Sequence, residues 1–327
     1  MSLSIKDVAL RAGCSIATVS RVLAGKGYIS EDARQKVEEA VKELGYRPNR
    51  VARSLRAQKS RVIGLVLSDI RNPFFSEISR AVEHVAVRHG YTVLICNTDE
   101  DPKREAQSLK LMEEEKVAGI LLSPTRANAK SLDPSVLPPL VLFDRKVAGA
   151  HLDSVVIDNE EAALKLTRHL LAGTYRKIAG IFGAKSFTAS ARIKGFQAAF
   201  AGAEERMAGI YQAPAFEDEG ARVMAEILAK EPDVDAVVCS SALLATGAYK
   251  TLRQSGLHIL KSEGFVCFDD PSWASFVDPP VTVIRQPATN LGEAAAELLM
   301  KRIEDPSRAV SEIVLRGDLI DRSAQPK

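Results

Sequence analysis

Cysteine is scarce in this chain of 327 residues: Cys14, Cys96, Cys239 and Cys267 stand far apart, with no C-x-x-C pair. Neither a disulfide framework nor a zinc knuckle is expected, and the usage fits a reducing cytoplasm. Long apolar runs are missing too, none approaching the roughly 18 residues of a membrane span. Met1-Ser2-Leu3-Ser4-Ile5-Lys6-Asp7 has no apolar stretch behind a basic start, so secretion is not expected. Catalytic signatures are equally thin. No G-x-G-x-x-G follows the first strand-like run, and no serine sits in G-x-S-x-G. Gly183-Ala184-Lys185-Ser186 follows a strand-like run but lacks the glycines that let a backbone approach phosphate. His84, His89, His151, His169 and His258 show no metal-ligand clustering. The residues thus predict no enzyme, no metal and no cofactor.

What is present divides into two textures. Residues 1–61 carry 13 Lys and Arg against 6 Asp and Glu, whereas the remainder carries 31 against 36. A small basic head on a slightly acidic body suggests a polyanion partner for the head, although a solvated basic face gives the same count. Residues 4–46 show three short helical patterns. From Val62 onward, strand-like runs alternate with helix-length stretches: 62–67, 91–95, 119–122, 140–143, 154–157, 177–182, 236–239, 265–268 and 281–284. Near-continuous apolar strands separated by helices predict parallel sheets covered on both faces. About ten strands suit two doubly wound lobes, with a ligand cleft at the carboxyl ends of the strands.

In the head, Ser4 and Asp7 fit a capping box, and Val8, Ala9 and Ala12 supply an apolar stripe that Gly13 ends. Ser15 caps a second helix beginning at Ile16, at the spacing of a helix-turn-helix. A third helix runs from Ser30 through Ala33, Val37, Ala40, Val41 and Leu44 to Gly45. Beyond it, Asn49 can cap one short helix bearing Arg50, Arg53 and Arg56, with Ala52 and Leu55 on another side. So short a helix is marginal in water, so it orders only against a partner, and its pattern suits minor-groove insertion. A basic linker is the alternative.

These segments, S-I-K-D-V-A-L-R-A-G-C-S-I-A-T-V-S-R-V-L, E-L-G-Y-R-P-N-R-V-A-R-S-L-R and I-G-L-V-L-S-D-I-R-N-P-F-F, resemble the lactose-repressor (LacI/GalR) family of transcription regulators. C-N-T-D-E-D-P, V-V-I-D-N, G-F-V-C-F-D-D and V-T-V-I-R-Q-P extend the resemblance over nearly the whole chain. It implies an N-terminal all-α helix-turn-helix domain (1–48), a hinge helix and linker (49–61), and a two-lobed α/β core (62–327) like periplasmic binding proteins. The N-lobe would be 62–159 plus about 290–320, and the C-lobe 160–289.

By this resemblance the second helix enters the DNA major groove, with Ile16, Ala17 and Arg21 at base-reading positions. Arg21 can donate twice to a guanine edge, whereas Ile16 and Ala17 offer apolar contact only. Ser15, Thr18 and Ser20 serve phosphate contacts or helix packing. Ala24 stands where the family usually has Asn, which puts one phosphate contact in doubt. Leu55 would be the wedge at the central base step, with Asn49 as cap, Ala52 beside it and Arg56 flanking. Paired wedges imply a homodimer on a pseudo-palindromic operator of double-stranded DNA.

The resemblance also implies ligand positions. Phe74 and Phe75 would form a wall or belong to the core; Asp144 would accept ligand hydroxyls, with Arg145 following it. Arg192 matches the clamping arginine, and Asp269 a second acceptor or a cap. Ser241-Ala242 replaces the usual Asn-Asp, which makes a plain neutral sugar doubtful, and Arg145 with Arg192 would favour a sugar acid. Trp273 would stack on a ring or cover the cleft. The expected function is a DNA-binding transcription regulator, a repressor, whose operator affinity a sugar or sugar acid controls. A solute-binding protein of the same core without gene control is the rival, and the basic head argues against it. The C-terminal Ser323-Ala324-Gln325-Pro326-Lys327 shows no leucine heptads for a tetramerising coiled coil.

Overall fold

The computed structural model describes residues 4–24, 29–46, 60–125, 137–147, 149–184, 186–256 and 263–323. It has two compact units, Met1–Ser60 and Arg61–Lys327. Asn49, Ala52, Leu55 and Arg56 lie outside the described residues.

The first unit contains α1 (Ile5–Ala12), α2 (Ile16–Ala24) and α3 (Glu31–Leu44). Asp7 reaches back to accept from both the Ser4 backbone N–H and its hydroxyl, each at 2.7 Å. Gly13 and Gly45 end α1 and α3 at φ 60° and 59°, left-handed values that cost glycine nothing. Val8, Ala9 and Ala12 of α1, Val19 of α2, and Val37 and Ala40 of α3 close a mini-core, as their helical spacing predicts. Arg11 and Glu43, 2.6 Å apart, tie α1 to α3 at the surface.

The second unit holds two six-stranded sheets. The first contains β1 (Val62–Leu67), β2 (Thr92–Asn97), β3 (Ile120–Leu122), β4 (Leu140–Phe143), β5 (Asp153–Ile157) and β11 (Glu312–Leu315), all parallel, in the order β11-β5-β4-β3-β1-β2. The second contains β6 (Ile178–Gly183), β7 (Met207–Ala213), β8 (Ala236–Cys239), β9 (Phe265–Phe268), β10 (Thr282–Arg285) and β12 (Asp318–Ile320), in the order β12-β10-β9-β8-β6-β7. Only β12 in the second sheet runs antiparallel. The first sheet packs α4 (Pro73–Arg88) and α10 (Ala288–Glu304) on one face and α5 (Pro102–Glu114) on the other. The second packs α8 (Glu217–Lys230) with α9 (Ala242–Ser255), and on the opposite face α6 (Asn159–Leu171) with α7 (Phe187–Ala199). Covered on both faces, the central strands are apolar at every position.

Three strands escape the sequence pattern: β7, β11 and β12. Each is an edge strand, and β11 alternates exposed and half-buried residues. The returning segment also divides. Helix α10 and β11 join the first sheet, but past Gly317 the chain crosses to the second, where β12 pairs with β10.

Helices start directly behind the strand ends, which fixes where polar groups gather. Asn72 and Asp101 cap α4 and α5, each followed by proline at the first helical position. Ser186 caps α7 through the Ala189 N–H at 3.0 Å, and Ser241 caps α9 through Leu244 at 3.4 Å. Gly195 lets α7 lie against α6, since a Cβ there would fall 2.0 Å from the Glu160 carbonyl oxygen.

Candidate functional site

The DNA-reading surface expected on α2 is available. Val19 is fully buried, whereas Ser15, Ile16, Ala17, Ser20 and Arg21 are exposed. Ser15 Oγ accepts the Thr18 N–H at 3.1 Å and lies 2.9 Å from the Thr18 hydroxyl, so this pair caps the helix. No carboxylate among the described residues pairs with Arg21.

A cavity of about 90 Å³ lies between the two lobes at the carboxyl ends of both sheets. Phe74, Phe75, Asp144, Arg145, Arg192, Ser241 and Asp269 all line it, so the structure gathers these expected residues in one place. Phe74 and Phe75 are also core residues, their rings edge to face at 5.2 Å. Trp273 is a correction. It does not line the cavity: its Nε1 donates to Thr246 Oγ1 at 3.0 Å and its ring lies 4.8 Å from that of Tyr249. A 3-10 turn at Ser272–Ser275 tucks the indole against α9, where an acceptor waits for its N–H.

Both arginines from which an anionic ligand was expected have partners within the protein, Arg145 carboxylates and Arg192 neutral acceptors. Arg145 forms a two-pronged pair with Glu100 at 2.6 and 2.9 Å and touches Asp144 at 3.2 Å. Burial opposes its charge, yet the Glu100 hydrogen bonds and Asp144 together hold its pKa above the usual value. Arg192, 6% exposed, donates to Asn159 Oδ1 at 2.7 Å, to Gln286 Oε1 at 3.0 Å and to the Ser240 carbonyl. Burial lowers its pKa, with Asp269 and Asp144 opposing. Asn159 is itself aimed by donating to the Ile157 carbonyl at 3.0 Å.

Among the described residues, four carboxylates, Asp69, Glu100, Asp144 and Asp269, line the cavity with the guanidinium groups of Arg145 and Arg192. Asp69 is bound by Arg71, and Asp269 accepts from the Ala242 N–H at 2.8 Å and from Gln286. Asp144 is the least engaged: its Oδ2 accepts from Arg145 Nε at 3.2 Å and from Ser123 Oγ at 3.5 Å. Burial raises its pKa, although Arg145 and Arg192 pull the other way.

Asp69, Glu100, Phe216, Ser240 and Gln286 line the cavity and were not singled out by sequence reasoning. Each sits just past a strand end, or at a helix start, so strand boundaries are the signal that finds them. Ala189, Ala215 and Leu243 supply apolar wall on the second lobe. Among the described residues there is no cluster of metal-ligating side chains, and no helix is long and apolar enough to cross a membrane.

Comparison with known proteins bears on both units. The family model described as bacterial regulatory proteins, lacI family, matches residues 4–49. The model for periplasmic binding proteins and the sugar binding domain of the LacI family matches residues 60–317. A ribose operon repressor of Halalkalibacterium halodurans is 38% identical over 303 residues, covering 92% of this chain and 90% of that protein. The solved complex of the transcriptional regulator CelR with cellobiose aligns at TM-score 0.73 and 27% identity, covering 99% of this chain and 100% of that one. The Lac repressor dimer bound to operator and the anti-inducer ONPF shares the fold, at TM-score 0.87, 23% identity and 98% coverage of both chains.

Proposed function

The chain belongs to the lacI family of bacterial regulatory proteins, a DNA-binding, ligand-controlled repressor rather than an enzyme, and from that premise we propose that its ligand is a neutral, polyhydroxylated molecule of the sugar type. The observation that carries this reading is the pairing of Arg145 with Glu100. It cancels the charge that an acid or phosphate would seek, and leaves Asp144 as an acceptor for hydroxyls. The ribose operon repressor and the cellobiose complex among its relatives support a sugar-type ligand.

The working division is a DNA reader at 1–48, a hinge at 49–61 and the ligand core at 62–327, in a cytoplasmic homodimer. Arg21, Ile16 and Ala17 read bases, Ser15, Thr18 and Ser20 support the helix or touch phosphate, and Leu55 with Asn49, Ala52 and Arg56 engages the operator centre. A ligand bound more tightly by one lobe arrangement shifts the balance of arrangements by its differential affinity, and the hinge conveys that shift to DNA. The test is to select an operator from random duplexes and titrate it in the presence of neutral aldoses. A several-fold change in operator affinity with one of them supports the proposal; operator binding indifferent to every neutral sugar but altered by their acids or phosphates refutes it.

A further inference from the structure

Arg71 follows β1 in the first lobe, and Phe216 precedes α8 in the second. The Arg71 guanidinium carbon lies 4.8 Å from the centre of the Phe216 ring, inside cation–π range. The other two such contacts among the described residues, Arg61 on Tyr91 and Arg192 on Phe268, each stay within one lobe. The ion pairs among the described core residues likewise stay within a lobe, from Arg145–Glu100 and Lys146–Glu312 in the first to Arg285–Asp270 and Lys250–Glu217 in the second.

Arg71 is held in position from below. Asp69 accepts from its backbone N–H at 3.0 Å, from Nε at 2.8 Å and from Nη2 at 3.1 Å, and Asp99 stands 3.6 Å from Nη2. Asp69 and Phe216 both line the ligand cavity. The contact thus crosses the cleft with one end steered by a cavity carboxylate and the other end being a cavity wall.

We infer that Arg71 and Phe216 form a latch across the cleft that biases the two lobes toward closure. Arg71 is half exposed, so the stack has the strength of a surface contact and shifts the closed-to-open ratio about two- to five-fold. A bias of that size suits a sensor, because a ligand moves the balance only by its own differential affinity. A ligand that draws on Asp69 or packs on the Phe216 ring alters the latch directly. The inference concerns lobe closure and holds whatever ligand the cleft takes.

Hydrogen exchange on the full-length protein with no ligand added tests it, read on the lobe opposite each substitution. Arg71→Ala is read at 186–190 and 240–245, and Phe216→Ala at 97–101 and 143–146. Exchange there should be about two- to five-fold faster in each variant, and no faster in the double variant than in either single one. Phe216→Leu keeps an apolar side chain without the negative ring face, and should behave as Phe216→Ala does. Unchanged exchange on the opposite lobe, a double variant equal to the product of the singles, or a Phe216→Leu protein indistinguishable from the unaltered one would each overturn the latch.

Discussion

Asp144 and Asp269 hold matching places in the two lobes: each directly follows the phenylalanine ending its strand, Phe143 of β4 or Phe268 of β9, and each backbone sits in the left-handed region at φ 65°. Aspartate is among the few side chains that tolerate this conformation, and the turn aims both carboxylates at the cleft. Their engagements differ. Asp269 is consumed by the Ala242 N–H and Gln286, while Asp144 keeps free lone pairs beside Arg145. Asp269 is held as scaffold, and Asp144 keeps acceptor capacity on the cleft side.

Asp144→Asn should therefore abolish ligand-induced stabilisation while leaving the ligand-free protein folded. It should also change the pH response. Burial raises the folded pKa of Asp144, so its proton is held more tightly in the folded state. The folded form is then favoured below the ordinary carboxylate range, and stability falls as pH rises from there through the raised value. Glu105, raised by the same cause, contributes in the same direction. Denaturant titrations of the ligand-free protein across mildly acidic to neutral pH should show a shallower decline in Asp144→Asn. An equal decline in both proteins would mean that Asp144 does not carry this pH response.

Glu100→Gln should reverse the charge preference of the cleft. It strips the two-pronged partner from Arg145 and leaves a guanidinium with free donors facing the cavity. Thermal shifts by aldonic acids, absent in the unaltered protein, should appear in the variant. A variant that still ignores every anion shows that Glu100 does not set this preference.

Gly195→Ala should destabilise the core by about 1–3 kcal/mol or more, the usual cost of overpacking. The new Cβ would press on the Glu160 carbonyl and push α7 from α6, loosening the Arg192–Asn159 bond three residues away. Urea titration reads the loss. A change within a few tenths of a kcal/mol would mean that the two helices separate freely.

Arg21→Ala should relax base preference and cost about 1–3 kcal/mol of operator affinity. Leu55→Ala should weaken operator binding more than non-specific binding, as loss of a wedge demands. Both are read by titration against selected and random duplexes at several salt concentrations, with a steep salt slope in every protein. Unaltered sequence preference in Arg21→Ala, or equal losses on both duplexes in Leu55→Ala, removes the respective role.

The buried strands and the caps were legible because burial on both faces leaves a continuous apolar run, and a cap needs only one residue type at one place. The edge strands β7, β11 and β12 were not, since a strand paired on one side tolerates glycine, as at Gly209, and exposed residues, as at Glu312. Asp144 and Arg192 could be placed in the site from local motifs. That Arg145 is neutralised could not, because Glu100 lies 45 residues earlier and meets it only when β2 and β4 share a sheet. Trp273 misled for a related reason: its partner Thr246 is 27 residues away on α9.

Neutrality of the ligand is read from the unfolding temperature of the full-length protein against matched sets of aldoses, their aldonic acids and their phosphates. A ligand at 100 times its dissociation constant adds about 2.7 kcal/mol of stability, which such a scan resolves readily. At least one neutral sugar should stabilise the protein, and its acid and phosphate should not. Stabilisation by the acid or phosphate alone would mean that the cleft takes an anion.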